Sequence, residues 1–198
     1  MHRRSNAGET FTTGCQHMTS RSVPEVVETS RLRLRRPRES DAEAIFARYS
    51  SDPDVTRFVG WPMHRSVDET RAFLDYCDAE WTRWPAGPYL IVAREDGRLL
   101  GGTGLAFETS YRAMTGYVLA KDAWGRGYAT EALSAMVGIA KNSGLRRLYA
   151  LCHHEHRASA RVLEKCDFAR EGVLRAYVEF PNLIPVEPQD VACYAILL

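Results

Sequence analysis

Lys121-Asp122-Ala123-Trp124-Gly125-Arg126-Gly127-Tyr128-Ala129-Thr130-Glu131-Ala132 is the stretch that decides how the rest of the chain is read. It follows a strand-like run, Ala113–Leu119, and opens an amphipathic one, Tyr128 to about Asn142. In the second run Ala129, Ala132, Leu133, Met136, Val137 and Ala140 recur at helical spacing, and Asn142-Ser143-Gly144 is a stop signal. The glycines on either side of Arg126 let the backbone turn sharply and approach a ligand without a Cβ in the way. The helix that follows offers unpaired N–H groups and a positive dipole end, which suit a phosphate or pyrophosphate, and Arg126 adds a cation there. There is no GK[ST] and no GxGxxG, so this is neither a Walker A loop nor a dinucleotide fingerprint. An ordinary glycine-rich strand-to-helix turn uses the same residues, and the segment alone leaves both readings open.

Upstream, Arg31-Leu32-Arg33-Leu34-Arg35 alternates as a half-buried strand. Ser40-Asp41-Ala42-Glu43 reads as a capping box opening a first helix, which Pro53 ends by pushing Asp52 out of helical geometry. A loop with Phe58, Gly60, Trp61 and Pro62 follows. Ser66-Val67-Asp68-Glu69 opens a second helix, closed by Trp84-Pro85. Tyr89–Arg94 and Arg98–Phe107 read as strands joined at the hairpin signal Asp96-Gly97, with a turn over Glu108–Arg112. Downstream, Arg147–Cys152 is a strand, Arg157–Cys166 a helix, and Ala169–Phe180 and Val191–Leu198 two last strands. The predicted fold is α+β, a mixed and mostly antiparallel sheet of about seven strands flanked by about four helices, in the order β-α-α-β-β-β-α-β-α-β-β.

The chain has 198 residues, 26 Lys+Arg against 25 Asp+Glu, and 45% hydrophobic residues. That length suits one domain with a short extension. Residues 1–25, rich in Ser, Thr, Gly and Arg and without period, are expected to be a flexible N-terminal extension, with Met18 a second candidate initiator; residues 26–198 form one domain. No apolar h-region follows the Arg pair, and Gly8, Glu9 and Gly14 work against an amphipathic presequence. A near-neutral charge argues against a dedicated nucleic-acid partner, and no apolar run approaches the ~18–20 residues that span a bilayer. Cys15, Cys77, Cys152, Cys166 and Cys193 are odd in number and scattered, without a CxxC pair. A reducing, cytoplasmic setting is therefore expected. Arginine outnumbers lysine by 23 to three, which we read as coding bias.

Thr115-Gly116-Tyr117-Val118-Leu119, then Trp124 to Ala132, then Ser159-Ala160-Arg161-Val162-Leu163-Glu164-Lys165 with Phe168, together resemble the GNAT N-acetyltransferase superfamily. Within it the chain is most similar to the branch of ribosomal-protein N-terminal acetyltransferases, which its opening Glu28-Thr29-Ser30-Arg31-Leu32-Arg33-Leu34 and its later Glu171-Gly172-Val173-Leu174-Arg175 also resemble. The likeness runs from Val26 to Leu198 in the family's order. It implies an acetyl-CoA site: the pyrophosphate on Trp124, Gly125, Arg126, Gly127, Tyr128, Ala129 and Thr130, and the pantetheine arm between splayed strands, beside the backbone of Tyr117, Val118 and Leu119. Three places depart from the family's pattern: His156 for an Asn, Asp167 for a Gly, and Met114 for a Glu. The Tyr found widely as proton donor is replaced by Leu163. His156 retains the chemistry to bond pantetheine or cap its helix, and Asp167 suggests an altered helix exit.

Acetyl transfer needs a deprotonated amine, a polarised thioester carbonyl and a protonated leaving thiolate. Ser159 is implied by the resemblance to stand near the sulfur, although a plain hydroxyl in a first helical turn is an equal reading. Glu108 and Glu179 are the candidate bases, each also readable as a solvated carboxylate. Phe58, Trp61, Trp81 and Trp84 are candidates for an acceptor pocket or for core packing. Cys152-His153-His154-Glu155-His156 is dense in metal ligands, but alternate faces of a strand keep them apart, so no metal is expected. The expected activity is acetyl-CoA-dependent acetylation of a primary amine, a protein N-terminal α-amine or a small molecule, by a monomer or homodimer with neither nucleic-acid nor membrane partner. The alternative is an acyl-CoA-binding module with weak or no turnover. Nucleotide binding through the glycine loop is a third, weaker reading.

Overall fold

The computed structural model describes residues 23–198; the first 22 residues of the expected extension lie outside the described residues. The chain runs β1 (Val26–Glu28), β2 (Leu32–Arg35), α1 (Ala42–Ile45), α2 (Pro53–Thr56), α3 (Val67–Arg83), β3 (Pro88–Ala93), β4 (Leu99–Phe107), β5 (Arg112–Leu119), α4 (Tyr128–Asn142), β6 (Arg147–His153), α5 (Arg157–Lys165), β7 (Ala169–Glu179) and β8 (Pro188–Leu197). One eight-stranded sheet is formed in the order β1-β2-β3-β4-β5-β6-β8-β7. Every pairing is antiparallel except β5 with β6.

Two apolar layers sandwich the sheet. Leu32, Leu34, Tyr89, Ile91, Ala113, Leu119, Leu148, Ala150 and Cys152 pack on one face with Leu133, Met136 and Ala140 of α4 and Leu163 of α5. On the other face Ile45, Tyr49 and Leu74 pack on Leu90, Val92 and Leu99, with Val118 at the edge. Strand alternation explains the division, because successive side chains point to opposite faces. The helices α1 to α3 therefore share one face and α4 and α5 the other. Met136, wholly buried, brings about 1.5–3 kcal/mol of apolar burial with it.

Two expectations change in detail. The eighth strand is β1, a three-residue partner of β2 that the sequence pattern is too short to reveal. The region read as a single first helix is a 3₁₀ turn at Glu39–Asp41, then α1, then a π turn over Phe46–Ser50. Its opening carboxylate is Asp41, which accepts from the Arg38 amide at 2.8 Å, so the box sits two residues upstream of Ser40–Glu43. Asp52 is extended as Pro53 dictates, and its side chain then caps α2 by accepting from the Asp54 and Val55 amides. Ser66 caps α3 as read, while Glu69 reaches back to the amide of Arg65. Val23 is 6% exposed and the Pro24 carbonyl accepts from the Tyr89 hydroxyl, so packing begins before residue 26.

Candidate active site

The parallel ladder between β5 and β6 is short. It runs from Arg112 opposite Arg147 to Met114 opposite Tyr149 and stops. Beyond that rung β5 stays with β4 as far as Leu119, and β6 stays with β8 as far as His153. The two strands diverge into a wedge, and the facing edge of Thr115–Leu119 has no strand partner among the described residues. An extended amide-bearing chain fits such an edge, because backbone N–H and C=O groups require partners. The Leu119 carbonyl is an exception, since the Trp124 indole N–H already donates to it at 2.7 Å.

The wide end of the wedge leads into the glycine loop. Gly125 and Gly127 have φ of +71° and +79°, the left-handed region that costs a side-chain-bearing residue about 1–2 kcal/mol. Nothing would meet a Cβ at Gly125, whereas one at Gly127 would come within 3.4 Å of the Arg31 guanidinium. Gly127 is the N-cap of α4, leaving the amides of its first turn without helical acceptors. Arg126 and Arg31 both lie over the Tyr128 ring, at 5.4 and 4.7 Å. This positive, amide-lined cradle suits a pyrophosphate. The donor set and the wedge beside it therefore fit acetyl-CoA.

Glu131 anchors the cradle, and the sequence reading missed it. It accepts from the Thr29 hydroxyl at 2.6 Å, the Arg31 amide at 2.9 Å and the Arg31 Nε at 2.7 Å. Arg31 in turn donates to the Arg126 carbonyl at 3.0 Å. Burial opposes its ionisation, but these bonds outweigh it and bring the carboxyl pKa down to about 2. The signal was available as an acidic residue in a helical first turn, but its partners lie 100 residues upstream.

On the α4 and α5 face of the wedge, Tyr117 of β5 reaches across to α5. Its hydroxyl lies 2.9 Å from Ser159 Oγ and donates to the Ser159 carbonyl at 3.2 Å. Burial pushes the Tyr117 phenol pKa upward, with the Ser159 bond acting in opposition. Cys152 stands nearby, its thiol also raised by burial. Leu163, at the place of the family's usual tyrosine, is 1% exposed in the core. A phenol does reach this side of the wedge, from β5 and not from α5.

The opposite face carries the second half of the site. Met114 and Tyr149 project from the last paired rung, at the apex of the wedge. The Tyr149 hydroxyl donates to the Glu108 carboxylate, and Arg112 Nε lies 2.7 Å from the other Glu108 oxygen. Burial and then Glu108 push the Tyr149 phenol pKa upward. Glu179 is elsewhere, exposed near the end of β7 opposite Pro188, without an ion pair or side-chain hydrogen bond among the described residues. His156 begins α5 but makes no capping bond; its ring lies 5.1 Å from that of Phe58, which also stacks on His153 at 4.5 Å. Asp167 adopts φ +63°, so the exit from α5 takes the left-handed turn of a glycine. Trp81 and Trp84 pack on Tyr89 and Phe107, away from the wedge. Among the described residues no group of three or more His, Cys, Asp or Glu is placed to hold a metal.

The model of the acetyltransferase (GNAT) domain matches residues 31–169. The chain belongs to the GNAT acetyltransferase family. It is 34% identical over 180 residues to the uncharacterized N-acetyltransferase YoaA of Bacillus subtilis, covering 87% of this chain and 96% of that one. A GNAT-family acetyltransferase from Bacillus anthracis has the same fold, with a TM-score of 0.76, 26% identity, and 87% of this chain and 98% of that one covered. The microcin C7 self-immunity acetyltransferase MccE, solved with acetyl-CoA and AMP, shares the fold at 18% identity, with a TM-score of 0.77 over 89% and 99% of the two chains. This GNAT chain is an N-acetyltransferase with acetyl-CoA as acetyl donor. Among its described residues no helix is long and apolar enough to cross a membrane.

Proposed function

We propose that this GNAT enzyme acetylates a primary amine, either the α-amine of a polypeptide N-terminus or an amine of a small molecule, delivered to the wedge from the α1–α3 face. The observation that carries this reading is the wedge itself, with the Tyr117–Ser159 pair on one face and the Tyr149–Glu108 pair on the other. Acetyl-CoA supplies the activated acetyl group. Gly125 to Thr130 hold its pyrophosphate with backbone amides, and the β5 edge aligns its arm so that the carbonyl meets the amine.

Glu108 is the base in this assignment. Its carboxylate takes the proton that the attacking amine sheds, passed through the Tyr149 phenol, which gives its own proton to Glu108 as it accepts the amine's. The new C–N bond forms as the C–S bond breaks. In this step the Tyr117 hydrogen points to Ser159 Oγ, which frees the Ser159 hydrogen to bond the departing sulfur; the thiolate then takes a proton from solvent. Glu179, exposed at the end of β7, has no such proton relay among the described residues. A positioned proton acceptor contributes roughly 10²–10⁴-fold.

The test is release of free thiol from acetyl-CoA with spermidine, free amino acids, an aminoglycoside and alanine- or serine-initiated hexapeptides side by side. Turnover on at least one acceptor is expected. Acetyl-CoA binding without turnover across the panel would instead mark an acyl-CoA-binding module.

A further inference from the structure

One asparagine ties together two segments that the sequence keeps far apart. The Asn182 amide group donates to the Thr56 carbonyl at 2.7 Å and the Trp61 carbonyl at 2.9 Å, and accepts from the Met63 amide at 2.8 Å. Both its hydrogens and its oxygen are thus spent on one stretch of backbone, the end of α2 and its connection to α3. Asn182 itself lies between β7 and β8, more than 100 residues away. The only aromatic contact between the same two segments among the described residues is Phe58 edge-on to Phe180 at 6.5 Å.

That connection bridges the wedge. At one end Asp54 of α2 pairs with Lys121, just beyond β5. At the other Phe58 lies on His153, the last residue of β6, with Phe180 against the same imidazole at 5.0 Å. The α2–α3 connection therefore spans the two diverging strands on the α1–α3 face, opposite the Tyr117–Ser159 pair, and forms the upper border of the opening whose lower border is Met114 and Tyr149.

We infer that Asn182 is a positioning residue for the acceptor, a strap that sets the height of this border and hence how the amine is presented to the thioester. The inference rests on the acetyltransferase reading above. It assigns no proton transfer to Asn182, which acts through Phe58 and its neighbours. An asparagine suits the role because a single side chain satisfies two carbonyls and one N–H. Aspartate retains an acceptor for Met63 and loses both donors; alanine loses all three bonds.

The experiment compares the unaltered chain with Asn182→Ala and Asn182→Asp, using spermidine and an alanine-initiated hexapeptide as acceptor probes. Expected for Asn182→Ala is an acceptor KM raised by about tenfold or more, as small displacements of a reactant cost that much, with the KM for acetyl-CoA unchanged. Asn182→Asp is expected to raise the acceptor KM at least as far, because a carboxylate oxygen then faces the Thr56 and Trp61 carbonyls. Amide hydrogen exchange should accelerate in residues 56–64 and 180–183 and stay unchanged in α4. An unchanged acceptor KM overturns the strap, as does an acetyl-CoA KM raised to the same degree, which would signal general loosening. If the unaltered chain transfers acetyl to no probe, it is the acetyltransferase reading that falls, a result visible before any variant is made.

Discussion

Ser159 shows how little of a site one side chain carries by itself. Read in isolation, it is a hydroxyl in the first turn of α5, a common place for one. The structure adds a phenol 2.9 Å away on a strand 42 residues upstream, aligned across the wedge. Tyr117 fixes the rotamer of a group that otherwise has three staggered choices. In the Ser159→Ala variant kcat is expected to fall by one to two orders of magnitude, a hydrogen-bond donor's typical share of charge stabilisation being about 10²-fold. Its affinity for acetyl-CoA should stay within about twofold, since the pyrophosphate is held elsewhere. Single-turnover thiol release with equilibrium binding measured in parallel checks both, and an unchanged kcat would remove Ser159 from the chemistry. The sequence points to Tyr117 only for its backbone, because nothing in a strand pattern tells which residue of another element lies opposite its phenol.

The junction of β5 and α4 was the most legible element. Its two glycines, the helix start at Tyr128 and the stop at Gly144 stand in the structure where the pattern put them, because φ > 0 and 3.6-residue periodicity are local properties. The clamp formed by Glu131 and Arg31 was not legible, nor was the asparagine strap, because both join segments distant in the chain. Neither was the π turn after α1, which carries Tyr49 into the apolar layer on the α1–α3 face. Gly127→Asp tests the junction directly. The substitution forces a side chain into φ +79° and sets a negative charge beside Arg31, where an anion is to bind. Acetyl-CoA affinity is expected to drop at least 100-fold by calorimetry, of which the added charge alone is worth a few kcal/mol in a partly desolvated cradle. Far-ultraviolet circular dichroism should show the helices intact, and retained affinity would place the pyrophosphate elsewhere.

Across the molecule as a whole, protonation separates the parts that hold the site from the rest. Burial depresses the pKa of His64, His153 and His156 below the ordinary 6.5. His153 shows why: it is 4% exposed, it is stacked under Phe58, and its Nδ1 accepts the Glu155 amide at 3.2 Å, so a second proton must break that bond. In the unfolded chain these imidazoles charge as the pH falls below 6.5, while in the native state they resist. The unfolded state then binds more protons, so stability is full above that value and is lost as the pH drops, by at most about 1.4 kcal/mol per pH unit for each imidazole. Glu131 contributes in a lower window: its folded pKa of about 2 against an ordinary 4.5 means its stabilisation is intact above 4.5 and drains away as the pH falls toward 2. Melting temperature should therefore begin to decline between pH 6.5 and 5, before the carboxylates titrate, and decline again below 4.5. His153→Phe keeps a ring under Phe58 and removes the most enclosed of the three imidazoles, so it should flatten the first decline and leave the second unchanged. Identical pH profiles for the variant and the unaltered chain between 7 and 5 would show that His153 charges as readily in the folded chain as in the unfolded one, and that the aromatic cover over the wedge does not exclude a proton.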